Sequence, residues 1–345
     1  MEREYTALDA LTMNKPGFRF VPIVLDGTDL PLFLKNRVYL DFSSYPDGPN
    51  GGELLRLVHG IVGKPLSEEA AHFAAGQDEA AQIATVQIRA ALRNGRADRI
   101  LEVAKEGGLP WDTSSALSCL AAESLTKLRK NTEALELLDS TRRRFPRAVR
   151  PKQLYALALA RRGEDDDLDN AQEILAELYE SQQRDPETLG ILARTWMDRY
   201  SASHDLNDLR QSRDYYAEAF ERAPDDYYTG INAAAKSVLL GTSADLEKAD
   251  EYATKVQKVV GSEARAGDYW WSATVGEVSL IRKQYADAAR AYAAAKAMAP
   301  KETGSHESTW KQACRLMAYL NPSDEERAMV RAVFTHLPDC SELKL

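Results

Sequence analysis

The sequence predicts a mainly α fold: an α-solenoid of stacked helix–turn–helix units with a small α/β stub before it. Three observations predict it. One stretch, Asp268 to Pro300, reads as two short helices and a turn. Other stretches repeat its spacing, and such a unit must stack because it cannot bury its apolar face alone. Residues 1–64 instead carry short β-branched and aromatic runs between Gly and Pro breaks, a strand pattern.

The stub comes first. Glu2 to Leu11 reads as a helix and Asn14-Lys15-Pro16-Gly17 as a turn. Phe18 to Leu25, bounded by Asp26-Gly27, has the signature of a buried parallel strand. Pro22 within it favours an edge or a bulge. Leu30 to Lys35 is a short turn of helix or loop, Val38 to Phe42 a second strand, and Ser43 to Gly52 a turn-rich loop. Glu53 to Val62 is an amphipathic helix with Gly63 as its C-cap. Residues 65–76 are expected to be a linker, 77–337 the array and 338–345 a tail.

In the organising stretch the first helix runs to about Arg282, Lys283-Gln284 break the rhythm, and the second helix starts near Tyr285. Gly276 is small where two helices must approach, and Ala288, Ala291 and Ala295 form a small-residue stripe. Pro300 stops the second helix, since it lacks an N–H and disfavours helical geometry before it. Ser118–Pro146 and Leu189–Pro224 keep the count to the closing Pro, the latter around an insertion, SASHDLNDLR. Ile231–Val260 lacks the Pro, Gln153–Pro186 has an extra turn, and Ala80–Pro110 fits loosely. The last pair is Ser308–Leu320 and Ser323–Leu337, with Asn321-Pro322 as the turn and Ser323 as N-cap. Six or seven helix pairs result. Repeat packing is nearest-neighbour, so removing 308–337 is expected to fray only the C-terminal end. The spacing of Gly276, Ala288, Tyr292, Ala295 and Pro300 resembles the tetratricopeptide repeat.

Composition bounds the function. The 345 residues are 28% charged and 44% hydrophobic with a net charge of −9, which argues against nucleic acid as main partner. Cys119, Cys314 and Cys340 form no close pair, which points to a reducing, cytoplasmic setting without structural zinc. The five histidines show no ligand spacing, MEREYTALDA has no apolar core for a leader, and no apolar run approaches the ~20 residues of a membrane span. No cofactor is expected, and GxSxG, HExxH and P-loop motifs are absent.

Two further resemblances bear on function. REYTALDALTMNKPGFRFVPIVLDG, LPLFLKNRVYLDF and LLRLVHGIVG look like the C-terminal half of a TIR (Toll/interleukin-1 receptor) domain, with its fourth and fifth strands and closing helix. The resemblance implies a flavodoxin-like sheet over residues 1–64 and, for enzymatic members, cleavage of the glycosidic bond of NAD. Glu4 sits where their catalytic Glu would be, and the Trp of their motif, four residues earlier, would lie immediately before Met1. Residues 1–64 are therefore expected to be a partial domain of an amino-terminally truncated reading. The chain as given is expected not to hydrolyse NAD, because one carboxylate without a pocket cannot position the bond. PETLGILARTWMDRY, SRDYYAEAFERAP and DDYYTGINAAAKSVLLG resemble the TRAF-binding, tetratricopeptide-like region of apoptosis signal-regulating kinases. That likeness implies a protein partner.

Each candidate residue has two readings. Glu4 is a catalytic carboxylate or a solvated charge in a first helical turn. Asn232 holds a partner's backbone or caps and bridges repeats, with Gly230 letting helices approach. Trp270 is an exposed hot spot or a plug in the seam with the previous repeat, and Glu277, seven residues on, shares its face. The basic run Arg142 to Lys152 is an acidic partner's site or a solvated helix end facing the acidic turn Glu164–Asp167. The expected function is an interaction scaffold or sensor that binds a protein or peptide in the solenoid groove, with self-association as a further option. The alternative is a TIR-type NAD glycohydrolase regulated by the array.

Overall fold

The computed structural model describes residues 8, 11, 14–15, 17–24, 40–42, 51–65, 67–265, 267–300 and 303–343. The fold is mainly α, and the described residues form two compact units, one up to Glu164 and one from Asp165 on. Among them no helix is long and apolar enough to cross a membrane, and no group of His, Cys, Asp and Glu could hold a metal ion.

In the first unit β1 (Ile23–Val24) pairs in parallel with β2 (Leu40–Asp41), in the register Ile23↔Leu40. β1 is shorter than the apolar run that announced it. Pro22 lies just outside, its carbonyl accepting from the Leu40 N–H at 3.0 Å. α1 (Gly51–Val62) ends at Gly63, which has φ +63°. α1 packs on β2 and on α2 (Glu68–Arg93), where Arg56 pairs with Asp78. Residues 65–76, expected to be a linker, are thus helical from Glu68 on, with Ser67 as N-cap. The expected helix Glu2–Leu11 and loop Ser43–Gly52 lie almost wholly outside the described residues.

α3 (Ala97–Glu106) folds back on α2, and the short α4 (Leu109–Thr113) buries Trp111. α5 (Ala116–Lys127), α6 (Asn131–Arg144) and α7 (Val149–Arg162) follow, each packed on the next. The basic run is spent locally: Arg143 pairs with Asp139, Arg144 with Asp112 and Arg150 with Glu123, while Arg142 lies 4.2 Å over the Tyr155 ring. Glu164 of the acidic turn pairs with Arg162 at 3.2 Å. The pairs with Asp112, Glu123 and Asp139 tie that run to α4, to α5 and to its own helix.

The second unit comprises α8 (Asp167–Glu180), the pairs α9 (Pro186–Ser203) and α10 (Leu206–Arg222), α11 (Tyr227–Leu240) and α12 (Ser243–Val260), α13 (Tyr269–Ile281) and α14 (Tyr285–Met298), then α15 (Thr303–Leu320) and α16 (Asp324–Arg331). The SASHDLNDLR insertion is helix: it lengthens α9 and α10, leaving His204 in the left-handed region and Asp205 as N-cap. Lys283 takes φ +60° in the expected turn before Tyr285. A Cβ on Gly276 would stand 2.6 Å from the Tyr292 ring, and one on Gly230 2.6 Å from Val256 and 2.8 Å from Phe220, so both glycines permit close helix approach. One apolar core runs from Ala193 to Leu337. Arg213, buried, and Asp245, partly buried, tie α10 to α12 at 2.9 Å.

Two expectations are corrected here. Cys314 and Cys340 are joined in a disulfide with Cα atoms 5.4 Å apart, so the expectation that the cysteines form no close pair fails. Their 26-residue separation hides a pairing that α15 and the returning chain create. The tail is held further by the Trp310 indole N–H, which donates to the Pro338 carbonyl at 2.9 Å. Packing is also not purely nearest-neighbour: α15 packs on α13 and on α11, a full repeat further back.

Candidate functional site

The first helices of four successive pairs, α9, α11, α13 and α15, bring polar side chains together within the second unit. On α9, Arg194 and Asp198 stand one turn apart, and the Arg194 Nε–H donates to both Asp198 oxygens at 2.9 and 3.1 Å. On α11, Asn232 and Lys236 stand one turn apart. The Lys236 ammonium donates to Asn232 Oδ1 at 2.9 Å, and the Asn232 amide donates to the Tyr228 carbonyl at 2.9 Å. On α13, Glu277 Oε1 accepts from the Gln312 amide of α15 at 2.9 Å. Across the same face the Tyr200 and Tyr319 hydroxyls, on α9 and α15, stand 3.4 Å apart.

Electrostatics shows how closely these groups are coupled. Lys236 is 4% exposed. Burial pulls its pKa down to about 7, helped by the positive charges of Arg315 and Arg194 and opposed by Glu277 and Asp198. Burial raises the Glu277 carboxyl, against the Gln312 hydrogen bond and the Lys236 charge. Burial also lowers Arg315, with Arg194 adding like-charge repulsion. Lys311 is lowered by burial and by both arginines. Arg194 is raised: Asp198 outweighs the desolvation of a guanidinium whose side chain is still 55% exposed.

The sequence singled out Asn232, Trp270 and Glu277. Asn232 and Glu277 belong to this polar face, joined through Lys236. Asn232 bonds within its own helix, so neither of its hydrogen bonds bridges repeats. Trp270 is 49% exposed, its ring edge-on to Tyr269 at 5.1 Å. The seam with the previous repeat is filled instead by Trp271, 5.4 Å from Tyr227 of α11 and under Arg265 at 4.9 Å. Glu4 lies outside the described residues. Sequence reasoning missed Lys236, Arg194, Asp198, Lys311 and Arg315. The available signal was the lone Lys in the run AAAKSVLL of a helix buried on nearly every side.

Residues 130–240 match the Tetratricopeptide Repeats-Sensor family. The sensor-repeat region thus covers α6 to α11 and includes Arg194, Asp198, Asn232 and Lys236. The other members of the polar face come from the helix pairs that follow it. No curated protein was found to match the chain.

Proposed function

We propose that the chain is a sensor and interaction module that binds a protein or peptide segment along the first helices of its second unit. The observation that carries this is Trp270: a large aromatic, half exposed, at the start of a helix whose other apolar residues are buried or, as Trp271, partly buried against the core, and on the same helical face as Glu277. The likeness of YYTGINAA (227–234) to the TRAF-binding region of apoptosis signal-regulating kinases supports a protein partner over a nucleic acid. Peptides selected by display against the whole chain test the proposal. Trp270→Ala should weaken them by ~2 kcal/mol or more, about thirtyfold, with the unfolding midpoint unmoved. Equal binding to both chains overturns the assignment.

The parallel pairing of β1 and β2 under α1 favours a second reading for residues 1–64, part of a TIR-like α/β domain whose output the helical array regulates. On that reading Glu4 stabilises the cationic sugar as nicotinamide leaves. Nicotinamide release from NAD by a chain extended upstream, abolished by Glu4→Ala, supports it; release that survives Glu4→Ala counts against it.

A further inference from the structure

The polar face of the second unit holds more positive charge than it neutralises. Arg194, Lys236, Lys311 and Arg315 face two carboxylates, Asp198 and Glu277. Asp198 is engaged by Arg194, and Glu277 accepts from Gln312. Among the described residues Lys311 and Arg315 have no carboxylate within ion-pair distance. Lys236, the most deeply buried, makes one hydrogen bond, to Asn232, plus a longer contact with the Tyr216 ring at 5.5 Å. Two of its three N–H donors are without a protein acceptor. Buried polar groups are ordinarily satisfied, and clustered like charges repel, so this arrangement is unfavourable when empty.

We infer that Arg194, Lys236, Lys311 and Arg315 form a binding site for a compact dianion of the phosphate-monoester class, held on the inner face between α9, α11 and α15. The charge fits in sign: the cations outnumber the carboxylates, a phosphate monoester carries about −1.5 to −2 at neutral pH with three acceptor oxygens, and an anion there favours the protonated form of Lys236. The donors are of the right kind, two guanidinium forks and two ammonium groups. The second amide hydrogen of Asn232 adds a neutral donor beside Lys236. The Tyr200–Tyr319 contact bridges α9 and α15 on this face. An anion there touches three helix pairs at once and offsets the repulsion between Arg194 and Arg315, so occupancy tightens the unit. The inference does not rest on the partner reading, which concerns the Trp270 end of α13.

Calorimetric titration of inorganic phosphate into the full chain, at constant ionic strength with chloride as the competing anion, tests it. One saturable site is expected, and Lys236→Met and Arg315→Gln should each weaken it at least tenfold. Arg290→Gln, which removes an exposed charge paired with Asp287, should leave it unchanged. Arg315→Gln alters a half-buried side chain, so it reads the site even where Lys236→Met perturbs folding. Sulfate, a dianion across the neutral range, should bind more weakly as pH rises and Lys236 loses its proton. Absence of saturable binding, or affinity unchanged in both variants, overturns the inference. Binding of a phosphoserine peptide where phosphate itself fails to bind also overturns it, and assigns the face to the partner.

Discussion

Single atoms decide the sign of two glycine substitutions. In a helix interior Ala is favoured over Gly by ~1 kcal/mol. At Gly190 of α9 an added methyl would meet only Thr229 Cγ2, at 3.9 Å, so Gly190→Ala should raise stability by about 0.5–1 kcal/mol. At Gly276 the same methyl would stand 2.6 Å from the buried Tyr292 ring, and Gly276→Ala should cost ~1–3 kcal/mol. Denaturant unfolding of the two variants should show opposite shifts; a shared sign contradicts the packing. Lys236 is the complementary case, a charge the core tolerates poorly. Below pH 7 it is protonated folded and unfolded, and its burial penalty is fully present. Between about 7 and the ordinary 10.5 the unfolded chain holds the proton more tightly, so stability rises with pH through that window. Relative to Lys236→Met, the parent chain should therefore gain stability from pH 7 to 10, read as a converging difference in unfolding free energy. A difference independent of pH would place the Lys236 ammonium in water.

At the scale of elements, the turns follow local chemistry. α16 begins with a full capping box: the Ser323 hydroxyl accepts from the Glu326 N–H, and the Glu326 carboxylate accepts from the Ser323 N–H at 2.8 Å. The helix has eight residues, too few to persist without tertiary support, and it packs Val330 against the core. Ser323→Ala should cost ~1 kcal/mol and leave the other helices as protected from hydrogen exchange as before. An unchanged midpoint would show that packing alone holds α16. The turn before Tyr285 uses Lys283 in the left-handed region, and the turn before Asn131 uses Arg129 in the same way. Neither residue is a glycine, which is why both turns showed in the sequence as a break in apolar rhythm and not as a glycine signal.

Across the second unit as a whole, α15 sets the cooperativity. Its Trp310, Cys314 and Met317 belong to the same core as Ile231, Val238 and Val275, and it packs on both α11 and α13. A strictly nearest-neighbour array would lose only its end when the last pair is removed. Here, deletion of 303–343 strips the cover from α11 as well. Hydrogen exchange on the shortened chain should show α11 and α13 losing protection together, while α5 and α6 in the first unit keep theirs. Full protection of α11 after the deletion would restore the nearest-neighbour picture.

By itself the sequence determined the helices, their turns and the glycines that let them approach. Those features are local: a period of 3.6, a cap, a Pro, a small residue one turn from a large one. It also marked Trp270 and Glu277, because residues seven apart share a helical face. Only the tertiary structure decided which helices meet beyond immediate neighbours. That decision pairs Cys314 with Cys340, puts Trp271 instead of Trp270 in the seam, and joins Arg194, Lys236, Glu277 and Arg315 from four separate helices into one charged face. No spacing along the chain encodes those contacts, because they depend on how far each helix pair rotates on the last, and that rotation is set by side-chain packing summed over the whole unit.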